Sequence, residues 1–228
     1  MFDFSKISAR IRNMKYHLNK GAGIPNSTIV HPDAFIDPSV HIGENVRIGQ
    51  SGIDEGSYIG NGVVIGDWIQ LRAGVIVLEG VTIGKQSLLY NGVRVGENSK
   101  IGDNVTLYRG VSVDKDCVIG NGVSLGNGVT IGMECKIAND IYVAAGTKVN
   151  GGVHLTSSIL TIAGLTYSAN VYKNNRVLEM SVLGYALSLS DWRNLNFSPN
   201  MPLFVKRFWK SNKDIIEPLI NKAFKGKK

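Results

Sequence analysis

Residues 83–107 read IGKQSLLYNGVRVGENSKIGDNVTL. Every sixth residue of this stretch is a large aliphatic: Ile83, Leu89, Val95, Ile101 and Leu107. The fourth residue after each is small or β-branched, as at Ser87, Val93, Ser99 and Val105. The phase extends in both directions from Ile53 to Leu155, and all eighteen positions are Ile, Leu or Val. The third residue after each is Gly, Asn or Asp at fourteen of the eighteen, the exceptions being Trp68, Gln86, Glu134 and Ser158. Gly, Asn and Asp are the residues that tolerate positive φ at a tight corner. A weaker set leads in at Ile24, Val30, Ile36, Ile42 and Ile48, and the step from Ile48 to Ile53 is five, one residue short.

The period dictates the architecture. A hexad with two inward residues and a corner is a short strand plus a turn, and alone it cannot bury its apolar side. Stacked hexads can, which makes the unit a solenoid. Three hexads per coil give a triangular prism in which residues 18 apart stack at about 4.8 Å. Helices and coiled coils are excluded because neither has a period of six. The reading is an all-β solenoid, a parallel β-helix of about seven coils, over residues 24–160.

The ends differ from the middle. Residues 1–23 carry five Lys/Arg against one acid, residues 24–160 nine against thirteen, and residues 161–228 eleven against four. Phe2, Phe4, Ile7, Ile11 and Met14 recur at roughly helical spacing among basic residues, predicting an N-terminal amphipathic cap over residues 1–23 that closes the open coil end. Residues 161–228 form a C-terminal basic extension. Its first part, to about residue 195, reads as strands or a short helix. From Pro202 it reads as a basic helical arm with Phe204, Phe208, Trp209, Ile215, Ile216, Leu219 and Ile220 on its apolar side, punctuated by Pro218. Aromatics beside Lys and Arg suit a membrane interface or a neighbouring subunit.

Composition bounds the function. The 228 residues are 43% hydrophobic and 19% charged, which is globular. No apolar run reaches the length of a membrane span. The opening residues lack a secretory signal, and two cysteines fit a reducing, cytoplasmic compartment. A net charge of +7 with an acidic body and basic ends argues against nucleic acid as a partner and leaves three readings of the ends: docking on anionic lipid, as at the inner face of a membrane, docking on an acidic partner, or solvated tails.

The stretches IGENVRIG (42–49), IGNGVVIGDW (59–68), VGENSKIGDNVTL (95–107) and IGNGVSLGNGVTIG (119–132) resemble the hexapeptide-repeat family, with pattern [LIV]-[G]-x-x-[STAV]-x. The start, HPDAFIDPSVHIGENVRIG (31–49), is similar to the opening of the sugar-nucleotide acyltransferases of lipid A synthesis. The resemblance implies a left-handed β-helix, an exception to right-handed crossovers. It also implies a homotrimer with sites between prisms, acetyl-CoA or a related acyl-CoA as co-substrate, no metal, and a sugar or sugar-nucleotide acceptor belonging to a surface-glycan precursor.

Acyl transfer to a hydroxyl or amine needs a base near the nucleophile and donors for the oxyanion. The histidines are His17, His31, His41 and His154. His31 and His41 fall in the first coil. His154 ends the string Asn150-Gly151-Gly152-Val153-His154, which resembles the Asn-Gly-x-x-His of the xenobiotic acetyltransferases. Stepping back by 18 gives Lys136, Val118 and Lys100. A cation one coil away disfavours the charged imidazolium, and Lys136 and Lys100 suit coenzyme phosphates. The candidates are therefore His154 and Asn150 for catalysis, and Lys136, Lys100, Gly151 and Gly152 for the acyl donor and its oxyanion. His31, His41 and His154 lie too far apart to share a metal.

Other residues invite a role. Cys117 and Cys135 stack as core thiols. Tyr90 and Tyr108, also 18 apart, face outward with Arg109 alongside, as a stacking surface for a sugar or base or as a subunit contact. Trp68 must project outward from its corner. Against an enzyme stand the repeat uninterrupted from 53 to 158, the middle coils without histidine, and the absence of the late Gly-x-Pro-Ala stretch. Two functions stay open at this point: an acyltransferase, and a catalytically silent β-solenoid acting as a scaffold.

Overall fold

The computed structural model describes residues 24–50, 56–157, 159–162, 169–174, 177–182, 185–194 and 202–225. The N-terminal cap predicted over residues 1–23, and with it His17, lies outside the described residues, as do 51–55. The chain divides into two compact units, residues 1–154 and 155–228.

In the first unit each hexad contributes one strand of two to four residues, from β1 (Ile29–Val30) to β21 (His154–Leu155), and successive strands take the three faces in turn. Each face is a parallel sheet of seven such strands. The register is a constant 18 from β5 (Tyr58–Ile59) onward: Ile101 lies beside Ile83 and Ile119, and Leu107 beside Leu89 and Leu125. Each coil's N–H groups donate to carbonyls of the next, as Gly102 to Ile119 at 2.9 Å. Aliphatic columns fill the interior, with Leu89, Leu107 and Leu125 fully buried. Each residue there packs on the ones above and below, and so a lone hexad has no core and a stack does.

One expectation is corrected. The register across the short step after Ile48 is 23, with Ile36 beside Ile59, Ile42 beside Ile65 and Ile48 beside Leu71. The coil that contains the short step after Ile48 is therefore five residues longer than the regular 18. Gly49 sits over His31 and Gly56 over Asp33, so the register changes from 18 to 23 between these two glycines. Counting aliphatics cannot see this, because any aliphatic at the right spacing counts as another hexad. Seven full coils remain.

The corners follow backbone geometry rather than residue type. Gly and Asn dominate, yet Trp68, Gln86 and Glu134 also take φ near +60. The stack of flanking strands fixes the corner, and these residues pay the left-handed cost, about 1–2 kcal/mol each. Buried Ser87 and Ser99 close the hydrogen bonding inside. The Ser87 hydroxyl donates to the Gly102 carbonyl and accepts the Val105 N–H, both at 3.0 Å. Outside, an amide ladder does the same work: Lys85 N–H donates to Asp103, Asp103 N–H to Asn121, and Asn121 N–H to Asn139, at 2.8–2.9 Å.

The second unit is α+β. Strands β23 (Ala169–Asn174), β24 (Val177–Val182) and β25 (Tyr185–Ser188) form an antiparallel meander, and β22 (Leu160–Ile162) pairs with β23. A short helix, α1 (Leu189–Arg193), is N-capped by Ser188, whose hydroxyl accepts the Asp191 N–H. The predicted basic arm is helix α2 (Leu203–Lys225), with Pro218 inside it. Phe208 and Trp209 pack on Trp192, Ile216 and Ile220 are buried in the same cluster, and the Trp192 Nε1–H donates to the Met180 carbonyl at 2.7 Å. Ile215 and Leu219 of the predicted apolar side are exposed instead. Arg193 and Glu217 make a two-pronged ion pair at 2.7 and 2.6 Å that ties α1 to α2.

Candidate functional site

The third face carries the predicted site. Its outward column holds Lys100 on β12 (Lys100–Ile101), Val118 on β15 (Val118–Ile119), Lys136 on β18 (Lys136–Ile137) and His154 on β21. Lys100 pairs with Val118 and Val118 with Lys136. β21 neighbours β18, and the Lys136 N–H donates to the Val153 carbonyl at 2.9 Å. The two lysines and Val118 are exposed, and His154 is half-buried. Sequence spacing and fold thus agree: two cations and an imidazole stand in one line, with a valine between the cations.

Asn150 follows the last strand of the second face, and the corner Asn150–Gly151–Gly152 carries the chain round to His154. Gly152 adopts φ +75, which glycine takes without cost. Its N–H donates to the Met133 carbonyl at 2.9 Å. That amide is committed, which corrects its expected part in an oxyanion site. The Asn150 carbonyl accepts the Cys135 thiol at 3.0 Å, fixing the corner's start to the interior. The coils meet closely here: a Cβ on Gly132 would lie 2.5 Å from the Gly151 nitrogen.

The other histidines are remote. His41, on β3 (His41–Ile42), stands in the same column as His154 but six strands away, about 29 Å at the usual strand separation. His31 belongs to the first coil and sits 3.6 Å from Asp33. Among the described residues no group of three or more His, Cys, Asp or Glu is placed to hold a metal ion. Cys117 is buried, and its hydrogen bond to Cys135 first, then burial, push its thiol well up from the ordinary value, which makes it a poor nucleophile. Asp67 is held below the ordinary carboxylate value by the Glu44 N–H that donates to it at 3.0 Å, with Lys85 3.4 Å away.

Two features escape a reading based on the hexad. Ile76 and Leu78 point outward on the second face, yet are only 6% and 3% exposed. Beside them in the same sheet Phe35 and Tyr58 stack at 5.2 Å and 8°. Four apolar residues at outward positions of neighbouring coils were the available signal. Trp68 is 60% exposed at its corner, as expected.

Residues 92–127 match the family model of the bacterial transferase hexapeptide, six repeats, and residues 111–145 that of the hexapeptide repeat of succinyl-transferase. A search of the curated proteins finds no match to the chain. Among solved structures it is similar to the UDP-N-acetylglucosamine O-acyltransferase of Moraxella catarrhalis, at 18% identity over 89% of this chain and 93% of that one, with a TM-score of 0.40. The UDP-N-acetylglucosamine acyltransferase of Francisella novicida gives 15%, 89% of each chain and 0.39. The GDP-perosamine N-acetyltransferase of Caulobacter crescentus, solved with CoA and GDP-perosamine, gives 17%, 75% and 64%, and 0.35. At such TM-scores these likenesses assign no reaction. The repeat models match within residues 92–145, and the period of six and the three-sided parallel coil carry the same hexapeptide pattern through the first unit.

Proposed function

We propose that the protein is an acyltransferase that moves an acetyl-like group from an acyl-CoA to a hydroxyl or amine of a sugar in a surface-glycan precursor. The observation that carries this reading is the outward column Lys100, Lys136 and His154, set on a repeat whose models are those of transferases. Coenzyme A is a strip of phosphates and pantetheine, and a line of cations along a prism suits it. His154 takes the proton of the acceptor O–H or N–H. The freed electron pair attacks the thioester carbonyl carbon, and the resulting oxyanion collapses with cleavage of the C–S bond. The CoA thiolate then leaves with the proton held by His154, so the imidazole ends as it began. Asn150 positions the corner that precedes His154, and the Gly151 amide is the proposed donor to the oxyanion.

The same proposal includes a homotrimer with sites between neighbouring prisms and a place at the inner face of a membrane, held by the basic ends. Among the described residues no helix is long and apolar enough to cross a membrane.

The test separates binding from chemistry. Acetyl-CoA at millimolar concentration should raise the melting temperature, and Lys136→Ala with Lys100→Ala should abolish the shift. His154→Ala should keep the shift and lose thiol release with a panel of UDP- and GDP-amino sugars by at least 100-fold, in the usual range for a general base. No thermal shift, with no thiol release from the intact chain, would leave the silent scaffold as the function.

A further inference from the structure

A stacking surface lies on the first face, separate from the column of His154. Tyr90 and Tyr108 follow strands β10 (Leu88–Leu89) and β13 (Thr106–Leu107), at the same outward position of adjacent coils. Their rings are 5.2 Å apart and 8° from parallel, so each covers one face of the other. Tyr108 is still 37% exposed. The next two residues in this column are Gly126 and Ala144, which leave about 9.6 Å beyond Tyr108, two strand separations, with nothing larger than a methyl group. Packing keeps the first of these positions bare: a Cβ on Gly126 would lie 2.6 Å from the Ala145 nitrogen. The ladder therefore ends in an aromatic face that no side chain of its own column can cover.

The surroundings are cationic and polar. Arg109, next to Tyr108 on the corner, is exposed, and its backbone N–H donates to Asn127 Oδ1 at 3.1 Å, which fixes the corner. Arg72 precedes Tyr90 in the column, one coil back. A flat apolar face beside a guanidinium matches a planar heterocycle linked to phosphate. Such a ring continues the stack, and the phosphate meets Arg109. An aliphatic partner gains no offset-stacked geometry from Tyr108, and a simple sugar gives up the charge.

We infer that Tyr108 is the platform of a nucleobase site, with Arg109 as its phosphate contact. The base could reach it as the adenine of an acyl donor or the base of a nucleotide-linked sugar. The site does not depend on the assignment of His154.

Binding is measured on the intact chain by isothermal titration and by saturation-transfer difference NMR, with adenosine 3′,5′-bisphosphate, UDP, GDP and inorganic pyrophosphate as separate probes. Saturation should concentrate on base protons, and at least one nucleotide should bind tighter than pyrophosphate. Tyr108→Ala should weaken that nucleotide about tenfold, within the measured range for one stacked base. Tyr108→Phe should retain it, Arg109→Ala should weaken nucleotide and pyrophosphate alike, and His154→Ala should leave both unchanged. Preference for the bisphosphate identifies the acyl donor as the source, and preference for UDP or GDP the sugar nucleotide. Equal binding of pyrophosphate and nucleotides, no binding of any probe at 10 times the concentration typical of such sites, about 10 mM, or nucleotide binding indifferent to Tyr108→Ala would overturn the inference.

Discussion

Gly120→Ala puts the coil spacing to a direct test. Gly120 follows Ile119 on the third face, and its backbone does not need glycine for its φ. What it needs is space. An added Cβ would lie 2.5 Å from Asn139 Oδ1, 2.7 Å from the Asn139 nitrogen and 2.8 Å from the Ala138 carbonyl carbon of the next coil. Ordinary contact begins near 3.4 Å, and although the Asn139 side chain can turn aside, the two backbone atoms behind it cannot. The coils must part locally. Two bonds suffer, Gly120 N–H to the Ile137 carbonyl at 2.8 Å and Asn121 N–H to Asn139 Oδ1 at 2.9 Å. Overpacking costs about 1–3 kcal/mol, and each weakened hydrogen bond adds up to about 1 kcal/mol. The expected loss is about 2–4 kcal/mol, a large share of a typical domain stability. Gly128→Ala is the control. Nothing lies within 4 Å of its Cβ position, but φ is +66, so only the left-handed cost applies, about 1–2 kcal/mol. The assay is urea unfolding followed by circular dichroism at 218 nm, a β-sheet wavelength, comparing midpoints for the two variants and the parent chain. A Gly120→Ala midpoint at or above that of Gly128→Ala would refute the reasoning, because sterics between coils would then weigh less than a strained corner.

Two further outcomes follow from the same geometry. Deleting five residues between Gly49 and Gly56 should restore a register of 18 throughout and move the unfolding midpoint little, since joining two points over five fewer residues changes closure entropy by well under about 1 kcal/mol; deleting Gly92 alone should unfold the chain or collapse its expression, and equal effects from both deletions would argue against the longer coil. Asp67 is ionised more readily in the folded chain than in the unfolded one, so its contribution is complete above about pH 4 and disappears as the pH drops below its folded value. Melting temperature against pH should therefore fall less steeply below pH 4 for Asp67→Asn than for the parent, and parallel curves would remove the Glu44 and Lys85 contacts as the cause.

The hexad itself, three sides to a coil, and the inward columns were all legible from residue spacing, because core burial ties each aliphatic to one position in its own coil. Ile83, Ile101 and Ile119 stack because nothing else could bury them. The outward column Lys100, Lys136 and His154 was legible for the same reason, since a fixed inward phase also fixes the outward one. What the repeat could not report was the relation between coils where the chain departs from it. Ile53 has the spacing of another hexad, and only the pairing of Ile36 with Ile59 reveals that this coil is five residues longer than the rest. The Gly152 amide looked available in sequence, but a corner's hydrogen bonds are decided by the neighbouring coil, here through the Met133 carbonyl. Outward residues are under no burial constraint from the solenoid, so the low exposure of Ile76 and Leu78 left no trace in the period. In the C-terminal unit, the helical arm continues through Pro218, and burial of Phe208, Ile216 and Ile220 in the cluster that holds Trp192 outweighs the hydrogen bond that proline removes. Local spacing determines which residues must be inside; only the neighbouring chain in three dimensions decides what each exposed or polar group is left free to do.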